Sequence, residues 1–160
     1  MKDTNILLVD DDQDTCASMS DIFLDLGYSV DMAYGGGDAL ELSRRHHYRL
    51  ALLDYNMPGM NGLELCRRLK ISQPSIVVAL ISAFSSVATM LEASESGVRS
   101  CLTKPVNFLV LMPLVKQAVG SDQRPTLNDP TPHAEVIAIR NACSYPTRGT
   151  ITGRAPIVAN

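Results

Sequence analysis

The sequence predicts an α/β fold in which helices cover both faces of a doubly wound, five-stranded parallel sheet. Strand-like and helix-like segments alternate over residues 5–119, and five such βα units imply a parallel sheet. Residues 76–81 are apolar throughout, as expected for a strand that is covered on both faces. An apolar fraction of 46% with only 5% aromatic residues predicts a core built mainly from aliphatic side chains.

Each predicted element has its own pattern. The strand candidates are residues 5–9, 28–33, 49–53, 76–81 and 100–103. In three of the helical segments, apolar residues recur at the spacing of one helix face, and Gly27 fits a stop for the first helix. These apolar sets are Met19, Ile22, Phe23 and Leu26 in the first helix, Leu65, Cys66 and Leu69 in the third, and Phe108, Leu111, Met112, Val115 and Val119 in the fifth.

Charge, apolar runs and cysteine spacing exclude several classes of protein. A formal net charge of −3 disfavours a general nucleic-acid-binding surface, which would normally be basic. We expect neither secretion nor a membrane span, because the chain has no N-terminal signal region and no apolar run near 20 residues. Cys16, Cys66, Cys101 and Cys143 are widely spaced without a CxxC pair. They are interpreted as reduced thiols of a cytoplasmic protein, not as a zinc site or a redox pair.

The chain divides into two parts by composition. Residues 1–120 are predicted to form one domain, and residues 121–160 a mostly disordered Pro-rich tail or the stub of a linker. Five of the nine prolines lie in this second part, where only Glu135 to Ala142 has the pattern of a short regular element. No helix-turn-helix pattern is present, so we expect no direct contact with nucleic acid from this chain.

Carboxylates follow two of the predicted strands. Asp10, Asp11 and Asp12 come after the first strand, and Asp54 follows the third. If these strands are neighbours, their carboxyl ends bring the negative charges into one crevice, where they raise each other's pKa or require a cation. A hard, oxygen-preferring cation such as Mg²⁺ suits such a site. A carboxylate beside Mg²⁺ can attack phosphorus and become an aspartyl phosphate.

A hydroxyl and an ammonium group complete the predicted constellation. Ser82 ends the fourth strand and Lys104 ends the fifth, directly before Pro105. A lysine supplies positive charge to a transferring phosphoryl group, and a hydroxyl can hydrogen-bond to the product phosphate. Acid, hydroxyl and ammonium at the ends of four strands are therefore the groups that phosphoryl transfer needs.

These motifs together resemble the receiver domain of two-component response regulators, the CheY-like family, over about residues 4–119. The matching segments are ILLVDDD at 6–12, LLDYNMPGMNG at 52–62, LISA at 80–83 and LTKP at 102–105. The joint order of these motifs, each at a strand end, is highly specific. The resemblance implies a flavodoxin-like strand order of 2-1-3-4-5. It also implies a phosphoacceptor signalling domain in a phosphorelay, with self-phosphorylation and autodephosphorylation as its only catalysis.

The resemblance implies a role for each acidic residue. Asp54 would accept a phosphoryl group from a phosphohistidine on a sensor histidine kinase or phosphotransfer protein, becoming 4-aspartylphosphate. Asp11 and Asp54 would bind Mg²⁺ directly, together with the backbone carbonyl of Asn56. Asp10 would act mainly through metal-bound water. Asp12 aligns with a variable position and is interpreted as a solvated residue at a helix start, where negative charge is favourable.

Other implied roles concern the switch. Ser82 would turn toward the phosphate and Lys104 would form an ion pair with it, after a cis peptide bond to Pro105. Phe84 would shield the aspartyl phosphate from water, and Asn56 occupies a second position that influences hydrolysis in this family. The switch would control a protein partner through the face formed by the fourth helix, fifth strand and fifth helix. Domains of this family often form homodimers through the same face, but the sequence does not fix the oligomeric state.

Two residues depart from the family pattern. Cys101 stands where an aromatic residue usually couples the hydroxyl movement to the output face, and it is expected to pack as a small apolar residue. Pro113 lies inside the fifth helical pattern and is expected to kink that helix or delay its start.

Several alternatives stay open on the sequence alone. One is an interaction module with the same fold that is not phosphorylated, and another is a DNA-binding transcriptional regulator that has lost its C-terminal domain. A haloacid-dehalogenase-like phosphohydrolase would need a second aspartate at position 56, where this chain has Asn56. Residues 35–37 are three glycines without the Lys-Ser/Thr of a P-loop, so they are interpreted as the lead into a helix.

Overall fold

The computed structural model describes residues 5–83 and 86–120. Five strands and five helices alternate along this part of the chain: β1 Ile6–Val9, α1 Gln13–Asp25, β2 Val30–Ala33, α2 Gly36–Arg45, β3 Leu50–Asp54, α3 Gly62–Ser72, β4 Val77–Ser82, α4 Val87–Glu95, β5 Ser100–Thr103 and α5 Phe108–Val119. All neighbouring strands are parallel, in the order β2-β1-β3-β4-β5. The predicted fold class and strand order are confirmed, and the strand bounds differ from prediction by at most two residues. The predictions for Phe84, Cys143 and residues 121–160 lie outside the described residues.

Side chains alternate across the sheet and form two apolar layers. In β1, Ile6 and Leu8 face one layer and Leu7 and Val9 face the other, and all four are buried. α1 and α5 pack on the Ile6 side, whereas α2, α3 and α4 pack on the Leu7 side. Helices on both faces explain why the strand is apolar at every position, without the polar alternation of a half-exposed strand.

Asp12 stands at the start of the first helix, as the sequence predicts. The carboxylate of Asp12 is the N-cap of α1 and accepts hydrogen bonds from the backbone amides of Asp14 and Thr15. A carboxylate at this position satisfies amides that have no partner within the helix and interacts favourably with the helix dipole. The interpretation of Asp12 as an exposed helix-start residue is confirmed.

Pro113 does not delay the start of α5, contrary to one of the two predicted effects. Asn107 caps the helix and Phe108 begins it, so Pro113 stands well inside the helix. A proline at this position cannot donate to the carbonyl of Leu109. Both Pro113 and Leu109 are exposed, so water can satisfy that carbonyl and the helix tolerates the residue. In the part of the chain that the structure describes, no helix combines the length and apolarity needed to cross a membrane.

Candidate functional site

The parallel pairing brings the acidic residues to one edge of the sheet. β1 lies between β2 and β3, so the end of the first strand is adjacent to the end of the third. The backbone amide of Asp10 donates to the carbonyl of Ala33 at 3.1 Å, which holds the start of the acidic turn against β2. Carboxylate oxygens of Asp10, Asp11 and Asp54 all lie within 4.8 Å of one another. Asp10 and Asp54 are buried, whereas Asp11 is exposed.

Lys104 approaches this cluster from the other side. Its Nζ atom lies 3.2 Å from Oδ1 of Asp54 and 3.3 Å from Oδ2 of Asp10. The backbone amide of Lys104 donates to the carbonyl of Ser82 at 2.9 Å, so the end of β5 is fixed to the end of β4. The peptide bond from Lys104 to Pro105 is cis, as the resemblance implies. One ammonium group thus contacts two carboxylates that come from different strands.

The environment changes the acidity of both partners. Burial, and next the negative charge of Asp10, raise the pKa of the Asp54 carboxyl to about 6, against the opposing effect of Lys104. Burial by itself lowers the pKa of the Lys104 ammonium, but the carboxylates of Asp10 and Asp54 outweigh it, so the pKa is raised overall. Near neutral pH the site therefore holds an ionised Asp54 whose charge the ammonium of Lys104 compensates only in part.

The orientation of Asp10 depends on the helix cap beside it. Oδ1 of Asp10 accepts a hydrogen bond from the backbone amide of Asp12 at 2.9 Å. Asp12 in turn accepts a hydrogen bond from the hydroxyl of Thr15 at 2.9 Å, which lowers the pKa of its carboxyl. The cap therefore holds the acidic turn at one end while Lys104 holds the other oxygen of Asp10.

Ser82 and Asn56 border the cluster. Ser82 is the last residue of β4, where it is buried and paired in register with Thr103 of β5. The backbone amide of Asn56 donates a hydrogen bond to the Asp54 carboxylate, and Asn56 itself is exposed. Cys101 is half-buried against the apolar layer of α2, α3 and α4, as expected for a small apolar residue.

Sequence reasoning missed Gly62, which fixes the loop after Asp54. The amide of Gly62 donates to the carbonyl of Tyr55 at 3.0 Å, so the loop turns back onto the strand that it leaves. A Cβ atom on Gly62 would lie only 2.7 Å from the backbone oxygen of Asp54 and 2.7 Å from Cδ1 of Leu80. This close approach requires glycine. The signal for this role in the sequence is the position of Gly62 at the end of the family segment LLDYNMPGMNG.

The donor set fits a hard divalent cation. Carboxylate oxygens are the preferred ligands of Mg²⁺ and Ca²⁺, and the cluster offers one from each of Asp10, Asp11 and Asp54. Of the side chains predicted to act together, the structure groups these three carboxylates, and Lys104 contacts those of Asp10 and Asp54.

Comparison with protein families gives a single family assignment. The model of the response regulator receiver domain matches residues 6–116. The chain belongs to the response regulator receiver family. This assignment makes the described part of the chain a signalling domain of two-component systems, and it favours that class over the phosphohydrolase alternative.

Curated relatives of this receiver domain are longer proteins. It is 35% identical to the transcriptional regulatory protein ZraR of Salmonella typhimurium over 116 residues, which are 72% of this chain and 26% of that protein. It is 30% identical to the response regulator ArlR of Staphylococcus aureus over 113 residues, 71% of this chain and 51% of ArlR. The chain thus spans about a quarter to a half of the length of these relatives.

Solved receiver domains share the architecture. A response regulator receiver domain protein from Methanospirillum hungatei is 27% identical with a TM-score of 0.69, over 74% of this chain and 94% of that chain. The receiver domain of a DNA-binding response regulator from Colwellia psychrerythraea is 26% identical with a TM-score of 0.67, over 72% of this chain and 97% of that one.

Proposed function

We propose that Asp54 accepts a phosphoryl group from the phosphohistidine of a sensor histidine kinase or phosphotransfer protein. The observation that carries this proposal is the contact of Lys104 with both Asp10 and Asp54, at 3.3 and 3.2 Å, beside a cluster of three carboxylates. Membership in the receiver family supports it. A cytoplasmic location is part of the proposal, because the phosphohistidine donors of such systems act there.

The transfer needs one nucleophile and one leaving group. An oxygen of Asp54 forms the new O–P bond while the N–P bond of phosphohistidine breaks, and the electron pair of that bond stays on the imidazole nitrogen. Asp54 must be ionised to attack, and with a pKa of about 6 it is mainly ionised at neutral pH. Lys104 remains close enough to pair with the phosphoryl oxygens that replace the free carboxylate oxygen.

The acidic cluster would hold Mg²⁺. Asp11 and Asp54 would bind the ion directly with the backbone carbonyl of Asn56, and Asp10 would act through water. Bound Mg²⁺ would neutralise charge on the phosphoryl oxygens. The close carboxylates and the raised pKa of Asp54 support this assignment, because a cation relieves repulsion between them.

Phosphorylation would then change the face used for output. Ser82 would turn toward the phosphate and Lys104 would pair with it, so that one of two conformations binds the modified site better. The face of α4, β5 and α5 would contact a downstream protein or a second copy of the chain. Exposed apolar residues on α4 support this, with Val87, Met90 and Leu91 exposed by 74%, 49% and 61%.

A wider role in transcription is a second candidate. It is favoured by one observation, that the relative from Salmonella typhimurium carries the name of a transcriptional regulatory protein. In that case the chain would be the receiver part of a longer regulator. For the site itself, the alternative to a phosphoacceptor is an interaction module of the same fold that is not phosphorylated.

Intact mass spectrometry tests the phosphoacceptor directly. The wild-type chain, Asp54→Asn and the matched exposed control Asp38→Asn are each incubated with acetyl phosphate, with and without Mg²⁺. We expect one phosphoryl adduct on wild type and on Asp38→Asn, dependent on Mg²⁺, and none on Asp54→Asn. Absence of an adduct on folded, Mg²⁺-bound wild type would overturn the proposal in favour of the unphosphorylated module.

A further inference from the structure

Charge is distributed very unevenly along this chain. Residues 3–43 contain ten acidic residues and no lysine, arginine or histidine, although the net charge of the whole chain is only −3. The acidic residues are Asp3, Asp10, Asp11, Asp12, Asp14, Asp21, Asp25, Asp31, Asp38 and Glu41. Only the aspartates at 10–12 belong to the candidate site or its helix cap. The other seven acidic residues have no role in that site.

One face of α1 carries three of the remaining charges. Asp14, Asp21 and Asp25 are spaced by seven and four residues, which places them along one side of a helix, and all three are exposed. The last turn of α1 contains no basic residue. Negative charge at the C-terminal end of a helix opposes the helix dipole, so Asp25 does not serve the stability of α1.

This acidic face borders an apolar groove. A cavity of about 670 Å³ lies between α1 and the segment from Lys104 to Leu109, with Leu8 and Ile81 of the sheet among its lining. Asp14 and Ile22 of α1 line one wall. On the other wall, Leu109 is 68% exposed. The occupant that fits has apolar side chains for the groove and positive charge for its acidic wall.

The chain itself contains such a segment. Residues 136–160 include Arg140, Arg148 and Arg154 and no acidic residue. They also contain the apolar runs Val-Ile-Ala-Ile at 136–139 and Ile-Val at 157–158. Opposite charges on the two parts favour their association and disfavour docking of an acidic segment.

The point at which the chain leaves the domain allows this contact. The carbonyl of Val119, the last residue of α5, accepts a hydrogen bond from the guanidinium of Arg49 at 3.0 Å. Val119 is buried in the apolar layer that contains α1 and α5. The chain therefore leaves α5 on the face of the sheet that carries the groove. Residues 121–135 span up to about 50 Å when extended, whereas α5 is only about 18 Å long. Linkage in one chain also raises the effective concentration of the segment.

We propose that residues 136–160 dock in the groove between α1 and α5, with their arginines against the acidic face of α1. Asp10 and Lys104 belong both to the groove lining and to the candidate site. A docked segment therefore lies beside that site. Its effect on phosphoryl transfer rests on the proposed function, but the docking itself does not.

A spin label in the proposed segment tests the contact without any phosphoryl donor. Cys143 is a natural attachment point once Cys101 is replaced by alanine, since Cys16 and Cys66 are buried and burial raises the pKa of both thiols. In ¹⁵N-labelled full chain, we expect the label to broaden the amide signals of α1 and of residues 106–109. Arg140→Glu/Arg148→Glu/Arg154→Glu should abolish this broadening, and so should high salt.

Charge exchange provides the decisive control. Adding Asp21→Lys/Asp25→Lys to the triple arginine variant should restore the broadening, because the signs of both surfaces are then reversed. Asp38→Lys/Glu41→Lys makes the same change in charge on α2, across the sheet, and should not restore it. The proposal is overturned if wild type shows no broadening of α1, or if charge reversal leaves it unchanged. It is also overturned if the broadening arises only between spin-labelled and ¹⁵N-labelled molecules in a mixture, which would mean docking onto a second copy.

Discussion

The ammonium of Lys104 lies 3.2 Å from the carboxylate of Asp54, and yet the pKa of Asp54 is raised to about 6. A cation at this distance normally lowers the pKa of a carboxyl group. Here burial and the charge of Asp10 together outweigh it. Because Lys104 divides its charge between two buried carboxylates, it does not fully compensate either of them. Without a bound metal ion, the charge of Asp54 therefore lowers the free energy of unfolding at neutral pH.

Asp54→Asn should stabilise the metal-free protein at pH 8. The pKa of Asp54 is about 6 in the folded state against a model value of 3.8, so the folded state binds more protons between these values. Wild type therefore loses stability as the pH rises through 6, and asparagine does not titrate. We expect the free energy of unfolding to be about 1–2 kcal/mol higher for Asp54→Asn at pH 8, since one pKa unit is about 1.4 kcal/mol and the lost ion pair offsets part of the gain.

Urea unfolding of both proteins at pH 8 and pH 4.5, in a chelator, measures this difference. The advantage of the variant should shrink or vanish at the lower pH. The exposed neighbour Asp11 gives the matched control, and Asp11→Asn should change the free energy of unfolding by less than about 0.5 kcal/mol. An advantage for Asp54→Asn that is equal at both pH values would contradict the assignment of the raised pKa.

Lys104→Met should destabilise the protein at pH 8, by about 1–2 kcal/mol. Its removal leaves the buried carboxylates of Asp10 and Asp54 without a cation, which is costly, although the 35% exposure of the lysine side chain moderates the loss. The loss should be smaller in an Asp54→Asn background, where one of the two charges is already absent. A double-mutant cycle from unfolding curves gives the coupling energy, and a value near zero would mean that the two side chains do not interact.

Gln73→Leu should destabilise the fold by about 2–4 kcal/mol, because it leaves several buried backbone groups without partners. The buried amide of Gln73 donates to the carbonyls of Ser43 and His46 at 2.9 and 2.8 Å, and it accepts from the amide of Tyr48 at 2.9 Å. Gln117 is an exposed residue of the same type, and Gln117→Leu should cost less than about 0.5 kcal/mol. Comparable losses in the two variants, measured by chemical unfolding, would show that the buried contacts of Gln73 are not important.

Alanine at two glycines should have opposite effects. Gly62→Ala forces the backbone at Asp54 to move, since the new Cβ would lie 2.7 Å from its oxygen. It should lower the free energy of unfolding by about 1–3 kcal/mol. Gly37→Ala adds a methyl group to α2 that would meet no side chain or neighbouring element within 4 Å, and it should stabilise by about 0.5–1 kcal/mol. Thermal unfolding of both variants checks the signs, and a neutral Gly62→Ala would mean that the loop after β3 adapts easily.

The sequence by itself determined the class of the fold and the identity of the acidic cluster. The apolar segment 76–81 was enough to predict a central strand, because a strand that is covered on both faces is apolar along most of its length. Asp10 and Asp54 could be predicted to meet because the carboxyl ends of neighbouring parallel strands lie at one edge of a sheet. The strand order itself came from the resemblance and was confirmed, since periodicity alone does not order strands.

Only the tertiary structure decided the contacts between segments that are distant along the chain. No local sequence pattern predicts these contacts. They are the ion pairs of Lys104 with two carboxylates, the close approach of Gly62 to the end of β3, and the buried hydrogen bonds of Gln73. Pro113 is instructive in the same way. Its local preference predicted either a kink in α5 or a later start, but the cap at Asn107 and the packing of Phe108 decide where the helix begins. Packing energy summed over a whole helix face exceeds the cost of one exposed hydrogen bond that is not formed.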